Sequence, residues 1–344
     1  MNNQPRLSFI VPCYNSEKFI SKCLDSLYNQ DVPESDYEII CVNDCSPDGT
    51  RDIILEYQKR HKNLILLEQP TNQKQGAARN RGIREARGKY VWFVDSDDFI
   101  AANCLKNLLE ILEKDDLDVL NFDLYDYFSD GTTKLVSISP TTKTTTGAEW
   151  LKNLEKNFDE NGYPVTKIFR TKFLIDNDLS FPENRYYEDQ QFSLFSVYTA
   201  QKFKHIQQFV YFYVKRSGSV LNSPLTAFHY VSSMENGADY LNFSAKIKAK
   251  DPDFAEKIKM SGLWKVNFGM KDFAYLSSPF RKRADKALQP YLPLVNQSDL
   301  QGTTAKYFKN FTFYNRLFLY ISPILRFLRN TKRTVKSWKR KLFK

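Results

Sequence analysis

Three carboxylates in a run of four residues follow an apolar stretch of this sequence. Asp95, Asp97 and Asp98 come directly after the predicted strand Tyr90–Val94. Hard divalent cations take oxygen ligands, and Mg²⁺ is commonly held by one or two carboxylates together with substrate phosphates. Because Asp95 and Asp97 lie where a strand becomes a turn, they can bracket one ion and its diphosphate. The alternative is an ordinary acidic turn.

A second acidic segment, Asp44–Thr50, follows the predicted strand Tyr37–Val42. Its carboxylates can accept hydrogen bonds from a base N–H or a ribose hydroxyl, so Asp44 is a candidate nucleotide-binding residue. The same segment has the composition of a Pro-Asp-Gly turn followed by a threonine helix cap. The two interpretations are compatible.

Two further polar segments have binding chemistry. Pro12, Tyr14 and Asn15 follow the predicted strand Leu7–Val11, and the ring of Tyr14 offers a face for a nucleobase. Arg79 lies early on a predicted helix among small residues, and its guanidinium can meet a diphosphate as a charged fork. For Arg79 the alternative is an ordinary salt bridge on the surface.

The elements that must position these residues alternate between strand and helix through the first 125 residues. Short apolar runs predict strands, and apolar residues at helical spacing predict helices between them. The predicted strands are Leu7–Val11, Tyr37–Val42, Leu64–Leu67, Tyr90–Val94 and Leu117–Phe122, and the predicted helices are 16–27, 50–61, 75–87 and 103–113. This alternation is typical of a parallel sheet with helices on both faces. Ligands of such sheets bind beyond the carboxyl ends of the strands, where most of the candidate residues lie.

Four motifs, in this order, resemble those of family 2 glycosyltransferases of the GT-A fold. They are Ser8–Asn15, Val42–Thr50, Gly76–Gly82 and Val94–Asp98. The resemblance covers residues 6–220 and implies an α/β, nucleotide-sugar-binding GT-A fold, with a mostly parallel central sheet flanked by helices. The residues that it assigns to the donor nucleotide and its sugar are Pro12, Tyr14, Asn15, Asp44, Arg79 and Asp95. It assigns the metal, Mg²⁺ or Mn²⁺, to Asp97 with help from Asp95.

The resemblance also implies a carboxylate general base in the pair Glu188-Asp189, with Asp189 as the base. The pair opens a predicted helix, and a helix N-terminus stabilises an ionised carboxylate; the alternative is that both residues merely decorate a helix start. Lys167 lies in a segment that resembles one in which a lysine approaches the active site. Lys215 and Arg216 follow a predicted strand and are candidates to cover the diphosphate. An ordinary surface lysine and a strand terminus are the respective alternatives.

Beyond residue 125 the pattern changes. Residues 130–147 are rich in serine and threonine and predict a loop or irregular hairpin, whereas helical patterns dominate after residue 220. The predicted helices there are 227–250, 253–276 and 281–288. We therefore predict a GT-A domain at 1–222, with a donor half to residue 125 and an acceptor half at 126–222, then a helical region at 223–300 and a tail at 301–344.

The positive charge is concentrated in that tail. The chain carries a net charge of +10, but Gln301–Lys344 contains twelve Lys or Arg residues and no Asp or Glu. The remaining residues are nearly neutral, so nucleic-acid binding, which needs a basic face on the folded domain, is not expected. Apolar residues from Ile324 to Leu342 share one helical face. This pattern predicts a basic amphipathic helix on an anionic membrane surface; a helix packed on the body or a disordered tail is the alternative.

The resemblance thus implies an inverting, metal-dependent glycosyltransferase. We expect it to move a hexosyl or N-acetylhexosaminyl group from a nucleoside-diphosphate sugar, a UDP-sugar above all, to a hydroxyl of a lipid-linked saccharide in cell-surface polysaccharide synthesis. We expect a cytoplasmic protein with reduced cysteines, attached peripherally to the inner face of the membrane; homo-oligomers stay open. The alternative is a catalytically inactive, membrane-associated GT-A scaffold or binding protein. No glycine-rich loop follows the first strand, which argues against a dehydrogenase or a sugar-nucleotide pyrophosphorylase.

Overall fold

The computed structural model describes residues 4–136, 143–154, 162–216, 224–270 and 278–289. The chain divides into two compact units, Met1–Ser223 and Pro224–Lys344. The tail predicted at 301–344 lies outside the described residues. The same holds for residues 271–277, the end of one predicted helix.

The first unit combines a sheet with helices in the alternating order that the sequence predicts. The strands are β1 (Leu7–Cys13), β2 (Tyr37–Asn43), β3 (Leu64–Glu68), β4 (Tyr90–Phe93), β5 (Phe99–Ile100), β6 (Val119–Tyr127), β7 (Thr133–Val136), β8 (Lys167–Arg170) and β9 (Phe203–Val214). The helices are α1 (Ile20–Tyr28), α2 (Thr50–Arg60), α3 (Lys74–Glu85), α4 (Leu105–Lys114), α5 (Gly147–Lys152), α6 (Thr171–Asp176) and α7 (Glu188–Thr199).

The nine strands of the described residues form one sheet in the order β3-β2-β1-β4-β8-β6-β9-β5, with β7 paired to β6. The first four strands of this order run parallel to one another. Strand β8 is inserted antiparallel between β4 and β6, while β6 and β9 are parallel. Cys13 at the end of β1 pairs with Asn43 at the end of β2. The loops that follow β1, β2 and β4 therefore leave the sheet at the same edge.

The core explains why these segments fold as they do. Every residue of β1 is buried, as expected for an inner strand of a parallel sheet with both faces covered. Helix α1 buries Ile20, Cys23, Leu24 and Leu27, which are spaced three or four residues apart and form one apolar face. Four of the five cysteines are buried and all five are free thiols.

The second unit contains helices α8 (Ala227–Ile247), α9 (Pro252–Met270) and α10 (Ser278–Leu288) among its described residues. Proline suits the first position of a helix, and α9 begins at Pro252. Glu235 of α8 accepts two hydrogen bonds from Arg283 of α10, from Nε at 2.6 Å and Nη2 at 2.8 Å. None of the helices within the described ranges is both long and apolar enough to cross a membrane.

Candidate active site

The carboxylate turn after β4 is fixed from behind by its last member. Asp98 is 2% exposed, and its carboxylate accepts hydrogen bonds from the Tyr211 hydroxyl (2.7 Å) and the Val214 amide (2.8 Å). The same hydroxyl accepts a hydrogen bond from the amide of Asp95 at 3.2 Å. Asp98 therefore anchors the turn to β9.

The other two carboxylates of the turn each contact an arginine. Arg79 Nη2 lies 2.7 Å from Asp95 Oδ1, and Arg216 Nε lies 2.7 Å from Asp97 Oδ2. Burial, and then the charge of Asp95, raise the pKa of Asp97. Carboxylates crowded in this way favour a cation between them.

The donor set of this turn fits a divalent metal that is shared with a ligand. Asp95 and Asp97 supply hard oxygens, with side chains 19% and 24% exposed. Within the part of the chain that the structure describes, no group of three or more His, Cys, Asp or Glu residues is arranged to hold a metal alone. Mg²⁺ commonly completes its shell with phosphate and water oxygens, so two carboxylates are enough for a site that forms together with a diphosphate.

Arg79 connects the carboxylate turn to helix α7. Its side chain is 3% exposed, and Nη1 donates to Glu188 Oε1 at 2.9 Å while Nη2 donates to Asp95. Helix α3 lies close to the start of α7 and to the segment before it at Gly76, where a Cβ atom would lie 2.3 Å from the carbonyl oxygen of Pro182 and 3.3 Å from Glu188 Cγ. A residue larger than glycine at this position would therefore clash with this segment, so the close approach of the helix that carries Arg79 requires glycine.

Glu188 and Asp189 form the first turn of α7, but their environments differ. Glu188 is 6% exposed and faces Arg79, whereas Asp189 is half-buried. Burial raises the pKa of both carboxyls, and the Arg79 guanidinium opposes that rise. Because the carboxylate of Glu188 is bonded to Arg79, that of Asp189 is the more accessible to an incoming molecule.

Lys167, at the start of β8, lies inside the protein. It is 1% exposed, and its Nζ donates to the carbonyl oxygen of Tyr163 at 2.8 Å and to Thr166 Oγ1 at 3.3 Å. Burial lowers its pKa to about 7, an effect that the charge of Asp189 opposes. Lys167 thus supports the Tyr163 backbone beside Asp189, and the interpretation as a surface lysine is wrong.

The carboxylate of Asp44 is held by hydrogen bonds, two of which come from backbone amides at the N-terminus of α3. Its Oδ1 accepts hydrogen bonds from Gln69 Nε2 (2.8 Å) and the Gln73 amide (2.7 Å), and its Oδ2 accepts one from the Lys74 amide (2.8 Å). Burial raises its pKa. A carboxylate oxygen has two lone pairs, so the capacity of Oδ2 allows a further donor. The nucleotide role of Asp44 stays a prediction.

The segment after β1 separates its three candidate residues. Pro12 is buried within β1 and pairs with Val42 of β2. Tyr14 is 49% exposed, which leaves its ring accessible to a planar ligand. Asn15 adopts the left-handed conformation, with φ 53°, and its amide donates to Ser46 Oγ at 3.3 Å. Tyr14 and Asn15 thus lie on the surface beside the loop after β2, while Pro12 belongs to the core.

Lys215 and Arg216 contact different carboxylates although they are neighbours in sequence. The Nζ atom of Lys215 lies 2.9 Å from Asp126 and 4.3 Å from the centroid of the Tyr213 ring. Arg216 instead contacts Asp97. The structure therefore brings Arg216 to the carboxylate turn and pairs Lys215 elsewhere.

Sequence reasoning missed two tyrosines of β9. Tyr211 and Tyr213 are two residues apart, so both side chains project from one face of the strand. Tyr211 bonds Asp98, and burial together with the carboxylates of Asp98, Asp95 and Asp97 raises the pKa of Tyr213. The only signal in the sequence was the alternation of side chains along β9, which places both tyrosines on one face. It does not show that this face lies beside the carboxylate turn.

Residues 8–175 match the family model for glycosyl transferase family 2. The chain belongs to this family. The resemblance of the four motifs to family 2 glycosyltransferases is confirmed, and so is the GT-A fold class.

Curated relatives of this family 2 member include two glycosyltransferases that are named for poly(ribitol-phosphate). A poly(ribitol-phosphate) beta-glucosyltransferase of Bacillus spizizenii is 32% identical over 336 residues, which is 87% of this chain and 50% of the relative. A poly(ribitol-phosphate) beta-N-acetylglucosaminyltransferase, TarS of Staphylococcus aureus, is 34% identical over 221 residues, 63% of this chain and 37% of the relative. This chain thus spans half or less of the length of these two relatives.

Among solved structures, residues 1–349 of S. aureus TarS in complex with UDP-GlcNAc resemble this chain with a TM-score of 0.62 and 28% identity. The similarity covers 85% of this chain and 82% of the other. A complex of the same TarS fragment with UDP gives a TM-score of 0.60 and 25% identity.

Proposed function

We propose that this protein is an inverting glycosyltransferase that moves a sugar from a UDP-sugar to a hydroxyl group of a cell-surface polymer or its lipid-linked precursor. The observation that carries the proposal is the link made by Arg79, which joins Asp95 of the carboxylate turn to the helix start bearing Asp189. One buried guanidinium thereby links the carboxylate turn proposed to bind the donor to the helix start that carries the proposed general base, Asp189. The bound UDP-GlcNAc of the similar TarS structure supports a UDP-sugar as the donor.

In the proposed reaction Asp189 accepts the proton of the acceptor hydroxyl while that oxygen attacks the anomeric carbon. A single displacement from the opposite side inverts the anomeric centre. Burial raises the pKa of Asp189, which moves it toward the operating pH, where a general base is most effective. Glu188 holds Arg79 in place and thereby sets the position of the first turn of α7.

Asp97, with Asp95, is proposed to hold Mg²⁺ or Mn²⁺ against the diphosphate. When bound, such an ion neutralises charge on the departing nucleoside diphosphate. Asp98 acts indirectly, because its hydrogen bonds to Tyr211 and Val214 orient the turn. Tyr14 and Asn15 are proposed to contact the nucleoside, and Asp44 to offer its Oδ2 to it.

The acceptor is proposed to be a hydroxyl-rich, phosphate-containing polymer or a saccharide. The names of two relatives, which act on poly(ribitol-phosphate), support a polymer of this class. Lipid-linked saccharides are tested as acceptors alongside such polymers, because both classes offer a hydroxyl group to Asp189.

The test is a donor screen that measures nucleotide release from UDP-GlcNAc, UDP-glucose and other UDP-, GDP- and dTDP-sugars with Mg²⁺ or Mn²⁺. We expect a UDP-sugar to be used, with activity lost in excess chelator. Asp189→Asn keeps the shape of the side chain and removes its basicity, so donor binding should persist while transfer falls by roughly 10²–10⁴. Product analysis by NMR should show inversion; retention, or full transfer by Asp189→Asn, would refute the assignment.

We further propose that residues 301–344 attach the protein to the cytoplasmic face of an anionic membrane. The support is the sequence: twelve basic residues, no acidic residue and an apolar helical face. Each basic residue near such a surface contributes about 1 kcal/mol. The full chain should co-sediment with phosphatidylglycerol vesicles at low salt and be released at high salt, and a protein truncated after Gln301 should not. Equal binding by the truncated protein would contradict this proposal.

A further inference from the structure

Asp97 is already in contact with a cation of this chain. Asp97 Oδ2 lies 2.7 Å from Arg216 Nε and 2.5 Å from Arg216 Nη2. The guanidinium carbon is also 4.8 Å from the centroid of the Phe19 ring. A carboxylate on one side and an aromatic ring on the other hold the guanidinium beside the carboxylate turn.

The two arginines of the turn differ in how firmly they are held. Arg79 has a side chain that is 3% exposed, lies on helix α3 and bonds two carboxylates. Arg216 is 36% exposed and is the second residue after the end of β9. A partly exposed ion pair is broken at low cost, whereas a buried one is not. Arg216 can therefore leave its carboxylate, and Arg79 cannot.

A second basic residue shows that the contact is specific. Lys215 is adjacent to Arg216, and it pairs with Asp126 at 2.9 Å. Its backbone amide donates to the carbonyl oxygen of Tyr127 at 2.7 Å. Only one of these two neighbouring cations thus contacts the turn.

We propose that Arg216 is an internal counter-ion that competes with the divalent metal for Asp97, so that metal binding requires the guanidinium to be released from this carboxylate. The inference rests on the proposed function, because it takes Asp97 as the metal ligand. Without a nucleotide, Arg216 keeps Asp97 neutralised and the protein binds metal weakly. When a nucleoside diphosphate is present, its phosphate oxygens can accept the guanidinium that Asp97 gives up.

This exchange has a thermodynamic signature. If the diphosphate stabilises the displaced guanidinium, it must raise the affinity for the metal, and the metal must raise the affinity for the diphosphate by the same factor. The coupling factor should therefore be large in the native chain and small in a variant that lacks the guanidinium. A carboxylate pair that bound metal without competition would show only the coupling that comes from direct metal–phosphate contact.

The experiment measures free Mn²⁺ by electron paramagnetic resonance in titrations of the full-length protein, without nucleotide and with saturating UDP. Protein-free titrations correct for the Mn²⁺–UDP complex. In Arg216→Gln we expect Mn²⁺ without nucleotide to bind about tenfold more tightly than in the native chain, which equals about 1.4 kcal/mol. The enhancement of Mn²⁺ affinity by UDP should shrink by a similar factor. Arg216→Lys keeps the charge without the fork and should lie between the two.

Lys215→Gln is the matched control, because it removes one positive charge from the neighbouring position and leaves Asp97 paired. Its Mn²⁺ affinity without nucleotide should equal that of the native chain. If Asp97→Asn abolishes Mn²⁺ binding but Arg216→Gln does not strengthen it, the inference is wrong and the metal site stands. The inference is also wrong if Lys215→Gln and Arg216→Gln strengthen binding equally, since general charge would then be the cause. If no variant binds Mn²⁺, both the inference and the metal role of Asp97 fall.

Discussion

Replacing Arg79 by glutamine should cause a large, pH-dependent loss of stability. Arg79 is buried between two carboxylates, 2.7 Å from Asp95 and 2.9 Å from Glu188. Glutamine can still donate a hydrogen bond but carries no charge. The variant therefore leaves Asp95 and Glu188 close to each other without the cation that separates them.

The size and sign of the effect follow from burial. Removing one partner of a buried ion pair costs about 3–5 kcal/mol, which is a large part of the roughly 5–15 kcal/mol typical of a folded domain. Burial raises the pKa of Glu188 from 4.5 to about 7 although Arg79 lowers it. A carboxyl whose pKa is raised on folding favours the folded state below its ordinary pKa, and this contribution is lost as the pH rises through the folded value.

Without Arg79 the pKa of Glu188 should rise further. At a pH above the raised pKa, each additional unit lowers the free energy of unfolding by about 1.4 kcal/mol. The loss of stability in Arg79→Gln should accordingly be greatest near pH 8. It should shrink near pH 5, because Glu188 is then protonated in the folded state of both proteins. Arg79→Lys keeps the charge but cannot fork between two carboxylates, so its loss should be smaller and should vary less with pH.

The assay is urea-induced unfolding of the full-length proteins at pH 5 and pH 8, followed by circular dichroism. Arg51→Gln is the control, because Arg51 contacts Glu68 on the surface, where both side chains are 48% exposed. It should change the free energy of unfolding little at either pH. An equal loss of stability at both pH values in Arg79→Gln would show that Arg79 is not the electrostatic partner of Glu188.

Two further predictions concern buried groups. Burial lowers the pKa of Lys167 from 10.5 to about 7, so the unfolded chain binds its proton more readily and the native stability should rise between pH 7 and pH 9; Lys167→Met should flatten this rise in urea titrations, and an unchanged slope would contradict the assignment. Tyr211→Phe removes the hydroxyl that bonds Asp98 and Asp95. It should cost about 1–3 kcal/mol in the free energy of unfolding and weaken Mn²⁺ binding, and unchanged values of both would mean that the turn does not depend on Tyr211.

The first half of the fold was predictable because its signals are local. Apolar strands that end in polar loops, with helices of regular spacing between them, gave the alternation from β1 to α4, and the helices after residue 220 followed from the same periodicity. Pairing across the sheet was not predictable in this way. The short strand β8 enters antiparallel between β4 and β6, and no property of its four residues specifies that position.

The sequence grouped the candidate residues but did not give their partners. The motifs predicted Asp95, Asp97 and Arg79 as residues of one site, and Arg79 does contact Asp95. The sequence offered no reason to pair Arg79 with Glu188 across more than a hundred positions. Lys215 and Arg216 were indistinguishable as neighbouring cations after a strand. Only the structure separates them, since Lys215 contacts Asp126 and Arg216 contacts Asp97.

The carboxylates of this site differ in how readily they can exchange partners, because the two arginines that pair with them differ in burial. A carboxylate that must stay in one place is best paired with a buried cation, and Asp95 is paired with Arg79, which also holds Glu188. A carboxylate that must exchange partners needs a cation that can move, and Asp97 is paired with Arg216, which is partly exposed. The proposed exchange therefore lets Arg216 neutralise Asp97 before the substrate binds and lets a metal ion neutralise it during the reaction.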